Sequence, residues 1–393
     1  MKLAHLADPH LGIRQYHRQT PSGINQREAD IAQAFRVAID GVIAARPDAV
    51  MVAGDLFHSV RPTNQAIVFA FRQFQRLREA LPKAPIVLIA GNHDTPRSTE
   101  TGSILRLFEE LGVDVAVDQA RRLVYPDLDL SILAVPHQAL VAGERPSLSP
   151  EGSERNRVLL LHGEVEGVFP FDRSAAEYGG ALIDLRELGG GTAWSYVALG
   201  HYHVQHEVAP RVWYAGSLDY VSPNLWGELA DQREHGPYEK GWLLVDLERG
   251  DVERHPVALA REILDLPPLD VEGLPAAAID GCIAERLRGV PGGFADKIIR
   301  LVVYNLPRHV GRELNHSVLR GFKSAALHLH LDFRRPEVNR SVGMGAPGRR
   351  QTLPELVRSY LTRRLIPAEL DRDAFVRLGE ELIDAVERDL AGA

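Results

Sequence analysis

Five short stretches of the chain place metal-binding or proton-carrying side chains at the end of an apolar run. They are "ADPH" (Asp8, His10), "GDLFH" (Asp55, His58), "GNHD" (Asn92, His93, Asp94), "LLLHG" (His162) and "ALGHYH" (His201, His203). The donors are nitrogen and oxygen without sulfur, a set that suits Mn, Fe, Zn or Mg. Asp55 offers two oxygens, enough to bridge two ions, and Asn92 offers a neutral carbonyl oxygen. Paired ions about 3.5–4 Å apart clamp a phosphate and supply a nucleophile at neutral pH. Asp8 and His10 are two residues apart, as are His201 and His203; in an extended segment such pairs point the same way. Gly54, Gly91, Gly163 and Gly200 would let the backbone turn tightly beside the donors. Each piece alone is weak, because a lone histidine on an apolar strand is usually a core residue. Five such ends in order are a strong signal.

The elements that must position these residues follow from hydrophobic periodicity. "KLAHLAD" (2–8), "PDAVMVAGD" (47–55) and "PIVLIAGNHD" (85–94) read as buried strands. Helical patterns over 28–45 and 64–81 separate them, with Ile31, Phe35, Ala38, Ile39 and Val42 on one face of the first. This alternation predicts parallel strands with helical crossovers. Ligand crevices of open α/β sheets lie at the carboxyl ends of strands, which is where all five motifs sit. Further strands are expected at 130–136, 157–163, 195–203, 211–216 and 241–247, some of them antiparallel because fewer helices intervene.

Residues 1–255 thus form one α/β domain on this reading. A smaller unit spans 256–336, with strands at 297–306 and 326–333 around a helical "GRELNHSVLRGF" (311–322). Residues 337–352 are rich in Gly, Pro and Arg and read as a linker. The segment 353–393 reads as two helices. Thr352 and Glu355 form a capping box before the first. Phe375, Leu378, Leu382, Val386 and Leu390 line the second.

Composition narrows the function. The 393 residues are 25% charged and 45% hydrophobic, with net charge −8, which argues against holding nucleic acid by bulk positive charge. A single cysteine, Cys282, allows no internal disulfide and no thiolate cluster, in keeping with a reducing cytoplasm. Asp8 stands where a signal peptide would still be apolar, and no apolar run approaches the roughly 20 residues of a membrane span.

"DPH", "GDLFH", "GNHD", "LLLHG" and "GHYH" resemble the calcineurin-like metallophosphoesterases over about residues 1–250. With "GDLFHSVRP", "WYAGSLDY" and "EKGWLLVDL", the chain is more closely similar to the SbcD-type DNA-repair nucleases. The resemblance implies a metallophosphoesterase sandwich of mixed sheets flanked by helices, with a smaller α+β capping domain and C-terminal helices. It implies two divalent ions, Mn foremost, with Mg, Fe or Zn as alternatives. One ion would be held by Asp8, His10, Asp55 and His203, the other by Asp55, Asn92, His162 and His201. His93 would be the acid that protonates the leaving oxygen, and Asp94 would orient His93 or fix the turn. His58 would be a second histidine on the phosphate side that helps place DNA. The family further implies 3′ to 5′ exonuclease action on duplex ends and endonuclease cutting of hairpins or single strands. It also implies a homodimer, and an SbcC-type, SMC-like ATPase bound through the C-terminal helices, in a cytoplasmic, nucleoid-associated complex.

Other candidates carry less. Arg14, Arg18, Arg27 and Arg61 could contact phosphate or be ordinary surface residues. Tyr16 could stack on a base or only pack. "HLHLD" aligns His328, His330 and Asp332 on one strand face, expected to be solvated above a buried stripe of Leu327, Leu329, Leu331 and Phe333. Two rival functions stay open: a phosphodiesterase for a small nucleotide, and a scaffold that tethers DNA ends. No Walker-type phosphate loop occurs, so any ATP dependence must come from a partner.

Overall fold

The computed structural model describes residues 1–96, 102–168, 181–189, 193–235, 239–336, 358, 360–362 and 371–391. Two six-stranded sheets face each other. The first contains β1 (Lys2–Leu6), β2 (Ala49–Val52), β3 (Ile86–Ile89), β4 (Asp114–Ala116), β13 (Gly241–Asp246) and β14 (Asp251–Pro256), in the order β14-β13-β1-β2-β3-β4. The second contains β5 (Arg121–Tyr125), β6 (Leu130–Val135), β7 (Asn156–His162), β10 (Tyr196–Gly200), β11 (His206–Ala209) and β12 (Val212–Tyr214), in the order β11-β12-β10-β7-β6-β5. Between β7 and β10, β8 (Glu164–Val165) and β9 (Leu182–Ile183) form a separate two-stranded ribbon. The strands bearing the five motifs run parallel to their neighbours on at least one side. Antiparallel pairing is confined to β1–β13–β14 and to the second sheet's outer pairs.

Alternation along the strands splits the core into layers. Leu3, Met51, Val87, Ile132, Leu160 and Trp213 fill the space between the sheets. The opposite face of the first sheet packs Leu6, Val52 and Leu88 against Phe35 and Phe74, which belong to α1 (Gln26–Ala45) and α2 (Asn64–Ala80). Asn25 and Thr63 cap those helices, their side chains accepting the first free N–H groups. His5 lies in the buried layer, its Nδ1 3.0 Å from the Tyr196 hydroxyl. Burial holds its imidazole down to about 3, so the ring stays neutral and serves as a polar pin between the sheets.

A third sheet of β15 (Ile263–Asp270), β16 (Ile298–Tyr304) and β17 (His328–Phe333) is parallel throughout. Its crossovers are α5 (Ala276–Arg288), then α6 (Arg308–Glu313) and α7 (His316–Ala325). The single helix expected over 311–322 is therefore two. Leu314 closes the first, and Asn315 caps the second, its side chain accepting from the Val318 N–H 3.2 Å away. Helix α5 was not expected from the sequence, although Ile279, Ile283 and Leu287 recur every four residues on its buried face.

This unit sits firmly on the larger one. Tyr220, Leu225 and Leu229 pack with Ile263, Ile298 and Leu327, and Tyr16 and Trp226 close the cluster. Leu225 and Leu229 belong to α4 (Leu225–His235). Arg261 bonds Asp30 at 2.8 Å and the Asp296 carbonyl at 3.1 Å. His328 is half-buried and stacks on Tyr16 with ring centres 4.1 Å apart, so the expected solvated face of β17 is only partly solvated. Phe333 is exposed and leaves the expected buried stripe, because β17 is an edge strand whose last residues outrun the core.

The short α3 (His137–Val141) follows β6. The last helix, α8 (Arg372–Ala391), forms as expected. The expected linker and the Thr352–Glu355 capping box lie outside the described residues. Among the described residues no helix is long and apolar enough to cross a membrane.

Candidate metal centre

The carboxyl ends of β1, β2, β3, β7 and β10 meet at one edge of the sandwich. Asp8, His10, Asp55 and His162 are fully buried there, and His201 and His203 nearly so. Asn92, His93 and His58 lie half-buried. The sequence reading had Asp8 and His10 converging by strand pleat. They converge by a different route, since β1 stops at Leu6 and both residues take left-handed conformations, φ 51° and 47°. The segment then runs beside the end of β2, with the Asp8 N–H donating to the Gly54 carbonyl and the His10 N–H to that of Asp55. Such backbone strain collects at functional sites.

The nearby glycines are needed for two different reasons. Gly54 has φ +90° and its Cβ position is 2.4 Å from His162 Nδ1. Gly91 has no positive φ; it is needed for space, because a Cβ there would stand 2.1 Å from Asp55 Oδ1.

The donors gather in two groups around Asp55. On one side, Asn92 Oδ1 is 2.9 Å from His162 Nε2 and 3.0 Å from His201 Nδ1. On the other, His10 Nε2 is 3.2 Å from His203 Nε2. Asp55 Oδ2 lies between the groups, 3.3 Å from His162 Nε2 and 3.7 Å from His10 Nε2. The candidate ligand atoms of Asp8, His10 and His203 lie within 4.8 Å of one another, as do those of Asp55, His162 and His201. Asp55 Oδ2 is buried with no hydrogen bond of good geometry; its nearest partner, His162 Nε2 at 3.3 Å, donates to it only when that nitrogen is protonated. A buried carboxylate oxygen without a donor is costly, and a cation answers that cost. The residues present fit the binding of divalent metal ions.

Electrostatics agree with this fit. Burial alone would push Asp55 up, but the rings of His162, His10 and His93 outweigh it and hold the carboxyl well below the usual range. Burial likewise opposes charge on His162, yet Asp55 and Asp8 raise its imidazole to about 9.

Outer nitrogens fix which ring atom faces the cluster. The Ala53 carbonyl can only accept, so His162 Nδ1, 2.8 Å away, carries the proton and Nε2 faces inward. His201 is reversed: Nε2 meets Glu164 Oε1 at 3.2 Å and Nδ1 faces inward. His10 Nδ1 meets His58 Nδ1 at 3.3 Å. His93 Nδ1 donates to the His58 carbonyl at 2.8 Å, and its backbone N–H donates to Asp55 Oδ1 at 2.8 Å.

Asp94 does not reach the His93 ring among its described contacts. It ties the two loops, accepting from Leu56 and Gly91 through Oδ2 and from Phe57 through Oδ1. Burial and the charge of Asp55 push its carboxyl up to about 7, against the pull of those three N–H groups.

A second buried network lies beneath His203. Lys240 donates to the His203 carbonyl at 2.7 Å and pairs with Glu228, which also accepts from Ser217 and from the N–H groups of Val221 and Ser222. This gives a physical reason for "GSLDY" and "EKGW". Arg27 belongs to the same support, fully buried on Asp219 at 3.1 Å, and is not a surface arginine. Arg14 bonds Glu28 at 2.9 Å, and Arg18 pairs with Asp296 and donates to the Ser324 carbonyl at 2.7 Å. Of the arginines singled out, only Arg61 stands exposed with no bond to the described residues. Sequence reasoning missed Glu164, Glu228 and Lys240. Their partners are distant in the chain, and the only local signal was polar residues flanking apolar runs.

A family model described as calcineurin-like phosphoesterase matches residues 1–221. Among curated proteins, the chain is 32% identical over 265 residues to the DNA double-strand break repair protein Mre11 of Sulfurisphaera tokodaii, covering 64% of this chain and 60% of that one. It is 26% identical over 284 residues to the Mre11 of Methanocaldococcus jannaschii, covering 69% and 67%. It is 31% identical over 260 residues to that of Methanococcus maripaludis, covering 63% of each. The chain thus spans about 60 to 67% of the length of these relatives.

Proposed function

Because the chain belongs to the calcineurin-like phosphoesterases, we propose that it is a metal-dependent DNA nuclease of double-strand break repair, the SbcD-type subunit of an SbcCD-like complex. The observation that carries this reading is the buried Asp55 Oδ2 standing between two groups of inward-facing ligand atoms. Asp8, His10, Asp55 and His203 would hold one divalent ion, and Asp55, Asn92, His162 and His201 the other. Such a pair, Mn foremost, polarises a phosphodiester and supplies a nucleophile at neutral pH.

The rest falls to the chain's own side chains. His93, gripped through Nδ1 by the His58 carbonyl, holds at Nε2 the proton for the leaving sugar oxygen. The carbonyl keeps a proton on Nδ1, so a further proton at Nε2 makes the ring an imidazolium, the acid form. His58 fixes the outer nitrogen of His10 and stacks 5.2 Å from His93, so it positions both. Asp94 keeps the two loops in register.

Similarity to DNA double-strand break repair proteins favours DNA over a small diester. So does the charge of the smaller unit: α6 and α7 expose Arg308, Arg312, Arg320 and Lys323 against the acidic Glu313, in a chain of net charge −8. Phosphate contacts from that face and from Arg61 would make binding fall with salt. The test is an assay of end-labelled linear duplex and of small diesters, each with Mn, Mg, Fe and Zn. Duplex degradation that depends on the ion is expected. Turnover of a cyclic nucleotide with intact duplex would overturn the reading.

We assign the segment 353–393 to an SMC-like ATPase of SbcC type and the active form to a homodimer. Leu378 and Leu382 are 53% and 60% exposed on α8, an apolar pair without cover among the described residues. Deleting 351–393 should abolish capture of that ATPase and leave basal Mn-dependent cutting intact. Unchanged capture sinks the assignment, and sedimentation of the full chain as a monomer sinks the dimer.

A further inference from the structure

The two halves of the centre are unequal in charge. The half around His10 and His203 includes Asp8 as well as its share of Asp55. Among the inward-facing donors of the half around His162 and His201, the same share of Asp55 is joined only by the neutral oxygen of Asn92; Asp8 stands behind that half, accepting from the His201 N–H at 3.1 Å. An ion there would meet less negative charge, and hard divalent cations are held largely by charge.

Glu164 stands where it can make up the difference. Its Oε1 is 3.2 Å from His201 Nε2, on the side of the ring away from Asn92. The His201 side chain is 1% exposed and that of Glu164 16%, so the pair is little screened by water. Its backbone is pinned as well. Glu164 lies on β8, its N–H donating to the Ala181 carbonyl at 2.8 Å. The next N–H, of Val165, donates to the Tyr214 hydroxyl at 2.9 Å, which donates in turn to the Gly163 carbonyl at 2.8 Å. A ribbon of two short strands exists here, and one thing it does is hold this carboxylate behind the ring.

We propose that Glu164 is a positioning residue that equalises the two ion sites. It keeps the proton of His201 on Nε2, frees Nδ1 for the ion, and passes negative charge through the ring to the half whose inward-facing donors include only a share of one carboxylate. His162 Nδ1 donates instead to the neutral Ala53 carbonyl, with the nearest outer carboxylate, Asp8, farther off at 3.8 Å. The proposal rests on the two-ion reading of the centre.

The test is Mn2+ binding to the full chain, by calorimetry or equilibrium dialysis, in the absence of substrate. Wild type should take two ions. In Glu164→Ala one step should keep its affinity and the other weaken roughly 10- to 100-fold, as outer partners of ligating histidines do. Glu164→Gln retains an oxygen that accepts from Nε2 but loses the charge, so its weaker step should fall between. Two unchanged steps in either variant, or two steps weakened by the same factor, overturn the proposal. If the alanine variant fails to fold, the isosteric glutamine variant decides alone. A wild type that takes fewer than two ions would overturn the underlying reading, and this one with it. Two wild-type ions with indifferent variants would overturn only the role of Glu164.

Discussion

An Asp55→Asn protein should fold, lose its tight hold on both ions, and lose phosphodiester cleavage by roughly three orders of magnitude or more. The asparagine is chosen for what it preserves. Its Oδ1 can still accept the His93 N–H, so the loop carrying Asn92 and His93 keeps its tether. Its amide nitrogen replaces the oxygen that lies 3.3 and 3.7 Å from the inward nitrogens of His162 and His10. An amide NH2 there donates instead of accepting, and cannot bridge cations. Thermal unfolding separates loss of ions from loss of fold. A ligand at a hundred times its Kd adds about 2.7 kcal/mol to the native state, so Mn should raise the wild-type Tm by several degrees and the variant's hardly at all. Asp55→Ala should behave likewise in cleavage. Full nuclease activity in either variant, after separation from contaminating enzymes, would sink the assignment of Asp55 as the shared ligand.

Much of this arrangement is legible in the sequence because it is locally encoded. A buried strand is an apolar run, and its end is where polarity begins. Asp55, Asn92, His162 and His201 are conspicuous for that reason alone. Parallel order follows from the helical patterns between the first three strands. Details that depend on contacts across the fold are not legible. Nothing near Asp8 announces that it and His10 leave the extended region, because the cause is the neighbouring segment 54–56, to which their N–H groups donate. Arg27 looks like any loop-end arginine until Asp219, 192 residues away, is seen to bury it. Glu164 reads as one more charge after a glycine, and its meaning comes from His201. In each case the sequence announces the ligand but not the residue that aims it. The aiming residue is a partner in space and obeys no periodicity. The helix α5 is a different kind of omission, for its Ile279, Ile283 and Leu287 spacing is a local signal.

The aiming residues suggest a division of labour that a second variant can expose. His93→Ala should retain both ions and lose cleavage of DNA by about 10²- to 10⁴-fold, the usual worth of a positioned acid. Retention is expected because His93 grips Asp55 through its backbone N–H, which alanine keeps. The lost ring takes with it the bond to the His58 carbonyl and the packing on His10 and His58. The defect should also depend on the leaving group. A sugar alkoxide is a poor leaving group without a proton, whereas p-nitrophenolate departs unaided. Cleavage of a p-nitrophenyl diester should therefore fall far less than cleavage of duplex DNA in the same preparation. An equal loss on both substrates with ions retained would argue that His93 positions the phosphate instead of protonating the leaving oxygen. Loss of an ion would place His93 among the ligands, beside His10, whose ring centre is 4.8 Å from its own. Only the pattern of ions retained, DNA cleavage lost and nitrophenyl cleavage largely spared fits a proton held at Nε2.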